Sequence, residues 1–123
     1  MNTRTLHVEV SSLEEDLAQF AQVCHDVAAG KRVKPYAGIG FSDAAQLLAA
    51  LTPQRCALIY ALKDYGACSI YALAKHLARN YSNVHGDVTK LLELGIAKKD
   101  ASGKVFVPWD KIDVQFPLQR MAA

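Results

Sequence analysis

The order of local signals in residues 69–108 constrains this chain most strongly: SIYALAKHLARNYSNVHGDVTKLLELGIAKKDASGKVFVP. Ser69 is a favourable N-cap residue, and the apolar residues after it recur at the period of an α-helix. These residues are Ile70, Leu73, Ala74 and Leu77. The segment therefore predicts a short helix with one side to bury.

A second amphipathic helix is predicted directly after a turn at residues 79–81. Ser82 is its expected N-cap, and one apolar stripe follows, formed by Val84, Val88, Leu91 and Leu92. Two short helices joined so closely must cross steeply, and Ala74 is small enough to permit their close approach. Gly95 can adopt a left-handed conformation and is expected to end the second helix.

A hairpin is predicted after this glycine. Residues 96–99 and 104–107 flank the sequence DASG, in which Gly103 can take the positive φ of a hairpin turn. Helix, turn, helix and hairpin in this order are typical of a winged helix-turn-helix, so duplex DNA binding is the leading hypothesis. Three lysines of the hairpin are candidates for contacts with the sugar-phosphate backbone: Lys98, Lys99 and Lys104.

The face of the second helix opposite its apolar stripe supplies further candidate DNA contacts. Asn83 is the preferred residue for base recognition, and Lys90 is expected to contact phosphate. Gly86 lies at the centre of this face, where its cost in helix propensity suggests close backbone approach. Arg79 and Tyr81, in the predicted turn, are expected to contact phosphates. The remaining candidates are Ser69, Ser82, His85 and Thr89.

The distribution of charge favours this hypothesis over its alternatives. Residues 52–108 hold eight Lys/Arg and four Asp/Glu, a net charge of +4, whereas residues 1–51 carry −2. Surface lysines on a hairpin are often only solvated, and a helix-turn-helix can also dock on proteins. Because the positive charge is concentrated on the predicted DNA-binding half, we favour DNA binding over solvated lysines and protein docking.

The N-terminal third has a different pattern. Residues 5–10 alternate as a half-buried strand does, and Ser12 with Glu15 forms a capping box. The helix that follows places five apolar residues on one face, namely Leu13, Leu17, Phe20, Cys24 and Val27. A strand and one amphipathic helix cannot bury this surface alone. The face must pack on the rest of the chain, on a second copy or on another protein.

Two expected domains follow from these patterns. Residues 1–40 are an N-terminal strand-helix element with a linker at 30–40, and residues 41–123 are the winged helix-turn-helix domain. Lys31, Arg32 and Lys34 give the linker a positive cluster that can enter a minor groove, although a solvated linker is preferred.

Further elements complete an α+β, mainly α fold. Thr52 and Pro53 open a helix that ends at Tyr65-Gly66, after a shorter lead-in helix, DAAQLLAAL. Residues 112–116 alternate as a last strand that pairs with the N-terminal strand, in the same chain or in a partner.

Several functional classes are not expected. No apolar run approaches the ~20 residues of a membrane span, and the start MNTRTLHVEV does not resemble a signal peptide, so we expect a cytoplasmic protein with no membrane partner. Three widely spaced cysteines and scattered histidines predict neither a disulfide framework nor a metal site. No phosphate loop or nucleophile elbow is present, so neither enzymatic activity nor a cofactor is expected.

Residues 41–118 carry a family resemblance through LTPQR, SIYALAKHLARNYSNVHGDV, LLELGIAKKDASGKVFVP and WDKIDVQFPL. The chain resembles small MarR-like winged-helix proteins, described as transcriptional regulators and as TumA-type antitoxins. Seven residues match the family pattern through the recognition helix: Arg79, Tyr81, Asn83, Val84, His85, Asp87 and Val88. Gly86 departs from it, because that position more often carries Arg or Lys.

The resemblance implies a repressor that binds its own operator and neutralises a cognate toxin encoded beside it. We expect a homodimer that places the helix at residues 83–94 in the major groove of symmetric half-sites. The strand-helix element is then a contact for the toxin or for a second copy. The alternatives are a stand-alone regulator without a toxin and a winged-helix module that binds only proteins.

Overall fold

The computed structural model describes residues 3–32, 37–116 and 118. Within these residues the protein is α+β and mainly helical, with five helices and five strands. Their order and bounds are β1 (Thr5–Val10), α1 (Leu13–Ala28), β2 (Ala37–Phe41), α2 (Ala44–Ala50), α3 (Pro53–Tyr65), α4 (Ile70–Leu77), α5 (Tyr81–Leu94), β3 (Lys98–Lys99), β4 (Val105–Phe106) and β5 (Lys111–Gln115).

The chain forms two compact units, each assembled from two separate segments. Unit 1 comprises Met1–Arg4 and Ala49–Asp110, and unit 2 comprises Thr5–Leu48 and Lys111–Ala123. This division differs from the sequence-based boundary after residue 40, because strand pairing joins the end of the chain to its beginning.

The helices of unit 1 begin and end at the residues that local chemistry favours. The Thr52 hydroxyl accepts a hydrogen bond from the Arg55 amide at 3.2 Å, which caps α3. The Ser69 hydroxyl accepts one from the Ala72 amide at 3.1 Å and caps α4. Gly95, with φ of 78°, ends α5 as expected.

The start of α5 corrects one prediction. Asn80 rather than Ser82 is the N-cap, since its side-chain oxygen accepts a hydrogen bond from the Asn83 amide at 3.3 Å. Ala78 ends α4 in a left-handed conformation with φ of 53°, which leaves residues 78–80 as the turn. Asparagine caps helices as well as serine does, so Tyr81 lies inside α5 and not in the turn.

The core of unit 1 contains most of the apolar stripes that the sequence predicts, while Ile70, Leu77 and Leu92 are only half-buried. Leu58 and Leu62 of α3 are fully buried, as is Leu73 of α4. From α5 the buried residues are Val84, Val88 and Leu91, and from the hairpin region Ile96, Ala97, Val105 and Val107. The stripe of α5 thus fixes which side of this helix remains outside.

The predicted hairpin is confirmed, and a third segment joins it. β3 and β4 pair antiparallel, with Lys98 opposite Phe106 and Lys99 opposite Val105. Val105 also exchanges two backbone hydrogen bonds with Cys68, at 2.8 and 3.1 Å. The residue before the Ser69 cap is therefore tied to β4 at Val105, the residue opposite Lys99.

Unit 2 contains a parallel three-stranded sheet of order β2-β1-β5. Val8 of β1 lies opposite Ile39 of β2 and Val114 of β5. The predicted pairing of the last strand with the N-terminal strand is confirmed, and it occurs within the same chain.

β2 overturns part of the predicted linker. Ala37–Phe41 forms a strand because its apolar residues alternate with glycines along one edge of β1, and the ladder supplies their hydrogen bonds. Residues 33–36 of the predicted linker, which include Lys34 and Pro35, lie outside the described part of the chain.

α1 is well capped but has no buried residue. The Glu15 amide donates to the Ser12 hydroxyl at 3.1 Å, and the Ser12 amide donates to the Glu15 carboxylate at 3.5 Å, so the predicted capping box is present. Among the residues that the structure describes, packing of its apolar face within the chain, one of the three expected alternatives, is not observed.

Candidate nucleic-acid interface

The outward face of α5 is polar and continuous. Its exposed residues are Tyr81, Ser82, Asn83, His85, Gly86 and Thr89, and Lys90 is half-exposed. They lie opposite the buried residues Val84, Val88 and Leu91, which anchor the helix in the core of unit 1. The predicted recognition residues of this helix therefore share one accessible surface.

The hydrogen-bonding capacity of these side chains differs. The Thr89 hydroxyl donates to the His85 carbonyl at 2.8 Å, so it retains only acceptor capacity for a ligand. The Lys90 ammonium lies 4.0 Å from the Glu93 carboxylate, a loose and exposed pair. Asn83 uses its backbone amide in the helix cap and keeps its exposed side-chain amide for an external partner.

Gly86 lies in open space at the centre of this face. A Cβ built on it meets no atom of the described residues within 4 Å. Close packing inside the protein therefore does not account for the glycine, and the backbone at this point is accessible to a ligand.

An ion-pair cluster of Asp87, Arg55 and Arg79 links α5 to α3 and to the turn before α5. Asp87 accepts hydrogen bonds from Arg55 Nε at 3.1 Å and from Arg79 Nη2 at 2.8 Å. Arg55 also donates to the Ala50 carbonyl at 3.0 Å, and Arg79 to the Gln54 side chain at 3.3 Å. One carboxylate thus connects α3, the turn and α5.

This cluster gives Arg79 a different environment from the one predicted. Its side chain is 22% exposed and is engaged with Asp87, which is 15% exposed. The charge of Arg79 is largely compensated by Asp87, so this guanidinium is less available for the phosphate contact that the sequence predicts.

The hairpin presents the three predicted lysines to solvent. Lys98, Lys99 and Lys104 are all exposed. Asp100 holds the turn between them, accepting from the Ser102 hydroxyl at 2.7 Å and from the amides of Ser102 and Lys104 at 2.9 and 3.0 Å. The hydrogen bond from the Ser102 hydroxyl is the main cause that lowers the pKa of Asp100.

An aromatic platform lies beside the hairpin. The Lys98 ammonium is 5.6 Å from the centre of the Trp109 ring, and the Arg4 guanidinium is 5.2 Å from it. Trp109 Nε1 donates to the Gly95 carbonyl at 3.0 Å, which fixes the ring against the end of α5. Arg4 therefore adds a cation to the basic surface of the hairpin.

Ser69 lies at the start of α4, next to the segment that pairs with β4. Its oxygen is occupied by the Ala72 amide, and its hydroxyl proton is available to an external acceptor such as phosphate.

Two features of this site were missed in the sequence. Asp87 directly precedes the buried Val88, so a carboxylate at the edge of the apolar stripe was a usable signal for an internal partner. Arg4 carried no such signal, because its contact with Trp109 joins residues from opposite ends of the chain.

The predicted partner-binding residues belong to unit 2. Leu13, Leu17, Phe20, Cys24 and Val27 are exposed along one face of α1. They form a second exposed surface, which is apolar, whereas the outward face of α5 is polar.

Two further types of site are absent from the described residues. In this part of the chain, no group of three or more His, Cys, Asp or Glu side chains is arranged to hold a metal ion. None of its helices has the length and apolar character needed to cross a membrane.

The HVO_A0114 family model matches residues 50–114, which span α3 to α5, the hairpin and most of β5. The chain belongs to this family. Neither a curated protein nor a solved structure matches it.

Proposed function

We propose that this protein is a sequence-specific, double-stranded DNA-binding transcriptional regulator with a winged helix-turn-helix. In this proposal α4 and α5 are the two helices of the motif, and the β3–β4 hairpin is the wing. The regulator acts in the cytoplasm without enzymatic activity. One observation carries the proposal: the exposed polar face of α5 and a hairpin that bears three exposed lysines belong to the same compact unit.

The width of an α-helix and the net charge of residues 52–108 support this assignment. An α-helix with a polar outer face fits the major groove of B-DNA, which is about 12 Å wide. The net charge of +4 on residues 52–108 favours the phosphate backbone and adds affinity that weakens with salt.

The exposed residues divide into two proposed roles. Asn83 recognises a base edge, because its amide can form paired hydrogen bonds with adenine. Lys90, Lys98, Lys99 and Lys104 bind phosphates, together with Arg4 beside Trp109. Tyr81, Ser82 and Ser69 position the protein on the backbone through their hydroxyl groups.

Fluorescence anisotropy tests the proposal most directly. One labelled duplex comes from the region upstream of the gene, and the control duplex has the same composition in scrambled order. We expect salt-sensitive binding that favours the upstream duplex by roughly 1000-fold. Absence of binding to both duplexes by the folded protein overturns the proposal and leaves a protein-docking module.

Two substitutions separate the proposed roles. Asn83→Ala should reduce the preference for the upstream duplex, since a lost base contact costs about 1 to 3 kcal/mol on the correct sequence only. Lys99→Ala should weaken binding to both duplexes and reduce the slope of log affinity against log salt by about 1. Equal losses on both duplexes for Asn83→Ala would remove this residue from base recognition.

An antitoxin function is the second candidate, and the exposed apolar face of α1 is the observation that favours it. The regulator then represses its own promoter and neutralises a toxin encoded beside it. Whether the neighbouring gene encodes a toxin distinguishes the antitoxin function from that of a stand-alone regulator. Co-expression of this protein with the product of the neighbouring gene tests the antitoxin function, and Leu17→Ser in α1 is the variant to compare. A deletion of residues 1–30 is unsuitable, because it would also remove β1, the central strand of the sheet.

A further inference from the structure

We propose that the apolar face of α1 pairs in antiparallel orientation with the same face of α1 in a second copy of this chain. The proposed interface lies in unit 2, and it goes beyond DNA binding because it forms and is measured without DNA.

The face is large, apolar and uncovered. Leu13, Leu17, Phe20 and Val27 are 59–73% exposed, and Cys24 is also exposed. A helix of 16 residues without any fully buried side chain gains little stability from packing, and isolated helices of this length are marginal in water. A partner surface on this face would therefore stabilise α1.

The spacing of the face is that of a coiled-coil seam. Successive apolar residues are separated by four, three, four and three positions, which is a heptad pattern with Leu17 and Cys24 at one core position and Leu13, Phe20 and Val27 at the other. Ala21, Val23 and Ala28 flank the seam and carry no charge. A second helix with the same spacing fits this seam.

The charges of α1 make it complementary to itself in one orientation only. Glu14, Glu15 and Asp16 are concentrated in its first turn. Lys31 and Arg32 follow its last turn, and the Lys31 side chain is 68% exposed although it lies 3.9 Å from Asp26. A parallel pair would place the acidic turns together, whereas an antiparallel pair places each acidic turn near the basic end of the other copy.

These charges also select a register. Antiparallel seams pair the two kinds of core position, and the charged ends meet when Leu17 lies opposite Val27 of the second copy. Phe20 then lies opposite Cys24 of the second copy. The result is a two-fold interface in which each copy contributes the same residues.

Sedimentation velocity of the full chain without DNA tests the association. An interface of this size is at the weak end of specific contacts, so concentrations from about 1 to 100 µM are appropriate. We expect a monomer-dimer equilibrium whose dissociation constant rises at least ~10-fold for Phe20→Ser. Gln19→Ser, next to Phe20 but outside the seam, is the matched control and should leave the equilibrium unchanged. A wild-type protein that remains monomeric overturns the proposal and leaves this face for a different protein.

Disulfide cross-linking tests the orientation in variants that keep Phe20. Leu17→Cys combined with Val27→Cys, in a Cys24→Ser background, should give a covalent dimer under mild oxidation. Each single cysteine in the same background should not, because only a parallel pair brings identical positions together. Efficient cross-linking of the single-cysteine variants, or of Cys24 in the wild type, overturns the antiparallel arrangement.

Discussion

Gly86 is the residue at which helix stability and access to the backbone oppose each other. Its position in the middle of α5 costs about 1 kcal/mol relative to alanine, and no contact with a described residue within 4 Å of an added Cβ explains the cost. The exposed backbone of Gly86 lies at the centre of the proposed recognition face.

Gly86→Ala should therefore have opposite effects on folding and on DNA binding. We expect the free energy of unfolding to rise by about 1 kcal/mol, because alanine favours the helix and meets open space. Affinity for the upstream duplex should fall, because the added methyl group keeps the backbone away from the DNA. Denaturant unfolding and anisotropy measure the two effects, and unchanged affinity would contradict close backbone approach.

Asp87 shows that a polar residue on α5 can serve the fold rather than the ligand. Its carboxylate is the common partner of Arg55 and Arg79 and is mostly shielded from water. Removing this charge leaves two guanidinium groups close together without compensation, which is costlier than losing one surface pair.

At the scale of elements, this cluster determines how α5 is held against α3. Asp87→Asn should lower the free energy of unfolding by about 2 to 3 kcal/mol, less than for a fully buried pair because solvent reaches both arginines. Glu93→Gln on the exposed face of the same helix is the control and should change it by less than about 0.5 kcal/mol. Equal effects of the two substitutions, measured by denaturant unfolding, would show that the cluster does not stabilise α5.

The hairpin depends on a different carboxylate. Asp100 is ionised when it accepts the three hydrogen bonds of the turn, and these bonds lower its pKa relative to the ordinary value of 3.8. Because the folded-state pKa is the lower one, the stabilisation is complete at pH values above 3.8 and is lost as the pH falls through the folded-state pKa.

Acidification should thus open the hairpin turn. As the pH falls below 3.8, we expect the Ser102 and Lys104 amides to lose protection from hydrogen exchange, because a protonated Asp100 is a weaker acceptor. Asp100→Ala should show the same low protection at neutral pH. Protection of these amides that is unchanged at low pH would exclude the carboxylate as the support of the turn.

At the scale of the whole molecule, the two units differ in how they are assembled. Unit 1 is built from helices close in sequence and a short hairpin, so most of its structure follows from local signals. Unit 2 depends on β1, which pairs on one side with β2 and on the other with β5, near the other end of the chain. Pairing strands that are distant in sequence closes a long loop, and this costs more chain entropy than the formation of local structure.

Val8→Asp should disrupt unit 2 while unit 1 remains folded. Val8 is fully buried in the central strand, and an uncompensated carboxylate there is strongly destabilising. Two-dimensional NMR should lose the dispersed amide signals of β1, β2 and β5 and keep those of α3 to α5. Gln115→Asp, at an exposed position of β5, is the control, and loss of all dispersed signals would mean that the units fold as one.

Local chemistry was sufficient to predict much of this fold. Thr52 and Ser69 cap their helices as their side chains require, Gly95 ends α5, and the alternation in residues 5–10 forms β1. Local chemistry was not sufficient where two neighbouring residues could perform the same task, as at Asn80 and Ser82. The capping residue there was decided by where α4 ended.

What the sequence by itself determined is therefore the type of most elements, the main apolar stripes and the exposed polar face of α5. These depend on interactions between residues that are close along the chain. Only the tertiary structure decided that Ala37–Phe41 is a strand, that Arg79 turns inward to Asp87, and that Arg4 stacks on Trp109. Each of these depends on a partner distant in sequence or on a side-chain direction, which local patterns do not encode.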